Sequence, residues 1–245
     1  MLGDIHKYLL VPKYFLQVSG IWVNGLYLVA SSIISYALTQ GLIYTPPDQT
    51  QGLLYKIIYI HVPMAALSLS LYLALALMSA VYWVWQIKMA DIAASACAFI
   101  GALTTVLALA TGAVWGKPTW GTWWIWDARL TTEFILLLLY LGVLSVRFTL
   151  RPHDYAKKMA AICATLGLID VPLVHYSVQW WYTLHQGPTL FMLAKPKIAW
   201  VMLWPLLIAL VGFGLLSAAL VLQTMRLLIK ADYRQDEYTL CPTLS

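Results

Sequence analysis

The sequence predicts an all-α membrane protein: six transmembrane helices in one bundle, both termini on the cytoplasmic side, and a tryptophan-rich loop between helices 3 and 4 on the other side. Three observations carry that expectation. Of the residues, 62% are hydrophobic and only 10% are charged, with a mean hydropathy of +0.77, whereas a soluble domain has about a quarter of its residues charged. Six apolar runs are each long enough to cross a hydrocarbon core of about 30 Å. Between Trp115 and Thr131 the chain reads WGKPTWGTWWIWDARLT, a density of indole that core packing does not require.

The 245 residues make one membrane domain, 1–245, rather than several. Residues 1–19 hold Lys7, Pro12 and Lys13 and are expected to stay in the cytoplasm. The first apolar run lacks a small-residue cleavage site and is too long for a signal-peptide core, so it is retained as a span. The spans are expected at 20–43, 57–85, 92–114, 132–150, 159–181 and 199–224, with a loop at 115–131 and a polar cytoplasmic tail at 225–245. An even number of spans puts both termini on one side.

Lysine and arginine fix the orientation, because positive residues are retained on the cytoplasmic side. The N-terminal segment, the second and fourth connections and the tail hold ten of the fifteen, including Lys88, Arg147, Arg151, Lys157, Lys158 and Arg226. The other side holds Lys56, Lys117, Arg129, Lys195 and Lys197. The formal net charge of +5 and a pI near 9.0 therefore reflect topology; the basic residues are scattered through short connections, which argues against nucleic acid as a partner and leaves lipid as the surrounding one. There is no nucleotide-binding loop. Cys97, Cys163 and Cys241 lie far apart, without CxxC or the CxxCH of covalent heme attachment, so no disulfide is expected and any bound heme is non-covalent to this chain.

The odd-numbered connections share the outer face. The first, YTPPDQTQGLLYK, returns to the membrane at His61; the fifth, WWYTLHQGPTLFMLAKPK, carries His185. Trp115, Trp120, Trp123, Trp124 and Trp126 fall within twelve residues, followed by Asp127 and Arg129. Were residues 120–127 helical, Trp120, Trp123, Trp124 and Asp127 would share one face, a flat apolar platform ended by an acid. An aromatic belt is the plain alternative, although a belt spreads its indoles over several helix ends. Gly116 and Gly121 permit tight turns, and Pro118 resists helix continuation. The outer face thus collects two imidazoles, an aromatic platform and several cations, the groups that bind a heme iron, its macrocycle and its propionates. Arg129 suits a propionate through its planar guanidinium, or pairs locally with Asp127 or Glu133, while Lys56 offers a point charge. His175, deeper in the fifth span, is a rival imidazole read as structural or pocket-lining. His6 and His153 are solvated on the other side, and Asp170 beside Pro172 is an intramembrane acid with no assigned role.

WGxxxWGTWWxWDxRLT resembles the WWD signature of heme-handling membrane proteins in cytochrome c maturation. Together with YKIIYIHVPMA and HYSVQWWYTLHQG, it makes most of the chain resemble the heme exporter protein C (CcmC) family of bacteria. That resemblance implies His61 and His185 as the two axial ligands of a non-covalent heme b and the segment from Trp120 to Asp127 as the heme-binding loop. It also implies a multi-pass protein of the inner membrane that delivers heme to a periplasmic heme chaperone and is not an enzyme. Its further partners would be a small single-span subunit and the ATPase and membrane subunits of an ABC transporter. The rival readings are a c-type cytochrome synthase, which must also dock apocytochrome; a b-type electron-transfer protein, whose heme lies between spans; and a secondary transporter, for which only Asp170 and Pro172 speak.

Overall fold

The computed structural model describes residues 11–150, 152–185 and 198–240, with residues 235–240 as backbone alone. Expectations for His6, Lys7, Arg151, Lys195, Lys197 and Cys241 lie outside these residues. Among the described residues the fold is all-helical, and six helical stretches are long and apolar enough to cross a membrane.

Helix α1 (Pro12–Leu38) opens on a proline, whose missing N–H costs nothing in a first helical turn, and runs on as a π-helical stretch, Thr39–Tyr44. A 3-10 turn, Leu53–Ile57, leads into α2 (Ile58–Trp85). Only Gln86 and Ile87 separate α2 from α3 (Lys88–Trp120), and Gln86 takes the left-handed conformation that closes α2, its side-chain amide donating to the Tyr82 and Trp83 carbonyls. Then come α4 (Ala128–Thr149), α5 (His153–Gly167), α6 (Asp170–Trp180) and α7 (Trp200–Leu240). Together α5 and α6 make the fifth span.

The third span is the hub. In it 67% of the most apolar window is buried, against 17% in the first span. Its buried face is built of small residues, among them Ala94, Ala98, Ala102 and Thr105, which let neighbouring backbones come close where lipid supplies no hydrophobic driving force. Leu71, Tyr72 and Leu75 from α2, Leu136 and Tyr140 from α4, and Ala160 and Ala164 from α5 complete the core around it. The Tyr140 hydroxyl donates to the Ser68 carbonyl at 2.7 Å, tying α4 to α2. At the opposite end from the tryptophan loop, Arg147 grips Asp91 through both guanidinium nitrogens, with Nη2 to Oδ2 at 2.8 Å.

Three boundaries differ from the sequence expectation. The expected 115–131 loop shrinks to residues 121–127, because α3 continues to Trp120 and α4 begins at Ala128. No helix forms over 120–127: Gly121, at φ 80°, ends α3 by donating to the Lys117 carbonyl, and Asp127 starts α4 as its N-cap. Trp120, Trp123, Trp124 and Asp127 therefore do not share a helical face, and Pro118 sits inside the last turn of α3 instead of stopping it. At the ends, α1 starts at Pro12, within the expected N-terminal segment, and α7 carries its helix through much of the expected tail.

The fifth span is broken. Residues 168 and 169 are a turn bonded at three-residue spacing, Leu168 N–H to the Thr165 carbonyl and Ile169 N–H to that of Leu166. Pro172, with no N–H of its own, follows in the first turn of α6. Asp170 is buried here, and neither its Oδ2 nor the buried Tyr72 hydroxyl has a hydrogen-bond partner among the described residues.

Candidate functional site

The first outer loop is shaped by one acid. Asp48 Oδ1 accepts the Gln51 N–H and the Thr50 N–H, each at 2.9 Å, and the Thr50 hydroxyl at 2.7 Å. Those bonds, the Gln51 N–H foremost, hold its carboxyl below the usual range. The turn delivers Gln51 to α3, where its Oε1 accepts the Trp115 indole N–H at 2.8 Å. Trp115 in turn stands edge-on to His61, with ring centroids 5.6 Å apart.

His61 sits in the first turn of α2, and its Nδ1 lies 3.0 Å from Thr111 Oγ1 on α3. The Thr111 hydroxyl donates to its own helix at the Leu107 carbonyl, 2.6 Å away, so toward His61 its oxygen accepts. That assigns the proton to His61 Nδ1 and leaves Nε2 without a hydrogen bond among the described residues. One residue on, Gly112 leaves room for the ring: an added Cβ would meet His61 Cε1 at 3.1 Å and press the imidazole aside by a few tenths of an ångström.

His185 follows α6, and its Nδ1 lies 3.1 Å from Asp127 Oδ2. The other Asp127 oxygen accepts the Leu130 N–H at 2.8 Å as the cap of α4, so the carboxylate is fixed at both ends. Trp120 lies against the His185 ring at 4.8 Å. Burial pushes the His185 pKa down, more than the hydrogen bond it donates to Asp127 raises it. At neutral pH the ring is an uncharged imidazole with Nδ1–H on the carboxylate and, among the described residues, no hydrogen bond at Nε2, the form in which histidine binds a metal.

Both histidines line one cavity of about 310 Å³, a volume typical of a small-molecule site. Trp115, Trp120 and Arg129 line it with them, as do Glu133 and His175. Arg129, on the first turn of α4, donates through Nη1 to the Val174 carbonyl at 2.8 Å and pairs with neither Asp127 nor Glu133. Glu133 is buried and accepts from the Ser68 hydroxyl at 2.7 Å. The remaining sequence candidates lie elsewhere. Lys56 donates to the Leu42 carbonyl at 2.8 Å, away from the cavity lining. Trp123 and Trp126 are 58% and 74% exposed, and Trp124 packs edge-on against Trp126 and Phe134.

Sequence reasoning missed Thr111, Gly112 and Gln51. Thr111 had one signal available, its four-residue spacing from Trp115, which puts both on one face of α3. Glu133 reads in the sequence as an acid inside a span and a partner for Arg129, whereas in the fold its partner is the Ser68 hydroxyl.

Fold and cavity define a class: a multi-pass helical membrane protein whose spans enclose an indole-walled cavity, lined by three histidines, at one end of the bundle. The chain belongs to the heme exporter protein C family (CcmC), whose model matches residues 5–239. It is similar to heme exporter protein C of Escherichia coli (strain K12), 42% identical over 229 residues that cover 94% of this chain and 92% of the relative. Heme exporter protein C of Haemophilus influenzae is 44% identical over 204 residues, 83% of each chain, and that of Bradyrhizobium diazoefficiens is 40% identical over 215 residues, 88% of this chain and 81% of the relative.

Proposed function

We propose that this chain holds heme between His61 and His185 at the outer face of the bacterial inner membrane and hands it to a periplasmic heme chaperone. Family membership supports the broader role, heme handling for cytochrome c maturation as a component of an exporter rather than as an enzyme. One observation carries the finer reading: of the three imidazoles that line the cavity, His61 and His185 each have Nδ1 engaged by a partner and, among the described residues, Nε2 without a hydrogen bond. The donor set fits the group. Neutral imidazole is an ordinary ligand of heme iron, Trp115 and Trp120 offer aromatic wall to a macrocycle, and Arg129 offers a cation to a propionate. The exposed indoles of Trp123 and Trp126 suit the arriving chaperone, since tryptophan is enriched at protein interfaces. The small single-span subunit and the ABC transporter subunits belong to the same reading.

The decisive experiment is an absorption spectrum of the detergent-purified protein with heme. Wild type should be six-coordinate and low-spin, and His61→Ala and His185→Ala should each lose that signature. A low-spin spectrum untouched by both substitutions would overturn the site.

A further inference from the structure

The two histidines are held by unlike partners. His185 gives its Nδ1 proton to a carboxylate that is itself buried, with 7% of the Asp127 side chain exposed. His61 gives its Nδ1 proton to a neutral hydroxyl that is already donating to Leu107. A hydrogen bond to an ionised acceptor is about twice as strong as one between neutral groups. A carboxylate drawing on Nδ1–H also raises the donor strength of Nε2, which a hydroxyl does far less. Position alone argues the other way: His185 lies beyond the end of a helix, in the loop region, while His61 is set inside α2 against Thr111 and Trp115. Exposure would release His185 first, and ligand strength would release His61 first.

We propose that donor strength decides: Asp127 makes His185 the retained ligand, Thr111 leaves His61 the exchangeable one, and the cargo iron gives up His61 to an incoming ligand. The inference rests on the bis-histidine reading above. In the exchange the iron–Nε2 bond to His61 breaks, His61 keeps its lone pair, and the incoming ligand supplies the pair for the new bond, with no change in oxidation state. Asp127 and Thr111 are positioning residues here, since each acts through a histidine.

The test uses the full chain in detergent, loaded with heme, reduced with dithionite and exposed to carbon monoxide, whose C–O stretching frequency reports the ligand across the iron. Wild type should give the frequency of the His61→Gly protein, in which His185 is the remaining ligand. A wild-type frequency matching His185→Gly overturns the proposal. As a second readout, Thr111→Val should speed carbon monoxide binding about tenfold, the lower end of the usual effect of removing a partner of a metal-bound histidine. It should leave the C–O frequency in place, and Thr111→Ser should restore the wild-type rate. An unchanged rate in Thr111→Val that still shows the low-spin spectrum also overturns it. Failure of the bis-histidine reading is seen earlier and separately, as a wild-type spectrum that is not low-spin before any gas is added.

Discussion

Asp127 holds His185 with one carboxylate oxygen, at 3.1 Å, and begins helix α4 with the other, at 2.8 Å from the Leu130 nitrogen. Ring orientation is thereby tied to the position of a helix end, which places the histidine more firmly than a loop alone can.

Asp127→Asn separates those two duties. The amide oxygen still caps α4, but the amide NH2 then faces His185 Nδ1 and favours the tautomer whose proton sits on Nε2, where it blocks a metal bond. Heme affinity should fall about 10- to 100-fold, as is usual when a partner of a metal-bound histidine is lost, with little change in thermal unfolding of the apoprotein. Equilibrium heme titration beside a melting curve checks this; wild-type affinity in the variant would refute it.

Acid should release the heme late. A histidine whose folded-state pKa lies below the unfolded value of about 6.5 takes up fewer protons folded than unfolded between the two values. The stability that the neutral ring contributes is therefore intact above 6.5 and declines as pH falls through the depressed folded value, and heme held at His185 on the proposed reading should follow it. Heme retention measured from pH 8 downward should be flat to about 6.5 and break at more acid pH. A midpoint at or above 6.5 would mean that burial does not govern this ring.

The tryptophans should divide by position. Trp120→Ala removes cavity wall beside His185 and should weaken heme binding by up to about tenfold, the scale of one aromatic contact. Trp123→Ala removes an exposed indole, so heme binding should hold while transfer to the chaperone slows. Trp83, exposed on α2 at the opposite end of that helix from His61, is the control for mere anchoring. Equal small effects on heme binding at Trp120, Trp123 and Trp83 would return the loop to an aromatic belt.

Topology can be checked with single cysteines in a background lacking Cys97, Cys163 and Cys241. Thr119 and Asp154 are both exposed. A cysteine at Thr119 should react with an impermeant thiol reagent added to the periplasm, and one at Asp154 should not. The reverse pattern would put the cavity on the cytoplasmic side.

The six spans were legible because apolar length is a local property: each run announces itself without knowledge of its neighbours. The ends were less so, since Gly121 and Asp127 act through a turn and a cap that trim the loop and remove the helical platform. His61 and His185 were readable as interfacial imidazoles near the indole stretch. Their partners were not, because Thr111 lies 50 residues from His61 and Asp127 lies 58 from His185, and no local period links such pairs. Nor does the sequence tell Trp120 from Trp123; only the turn at Gly121 sends one to the cavity and the other to the surface.

The bond between Asp127 and His185 also has a timetable. His61, Thr111 and Trp115 all lie within the second and third spans and can meet while the ribosome is still making the rest of the chain. His185 emerges only after the fifth span has been threaded into the membrane, so the second imidazole arrives three spans after the first. On the proposed bis-histidine reading, a porphyrin that met an unfinished chain would find one weakly supported ligand and should leave again, and a full hold should begin only when the bundle is nearly whole.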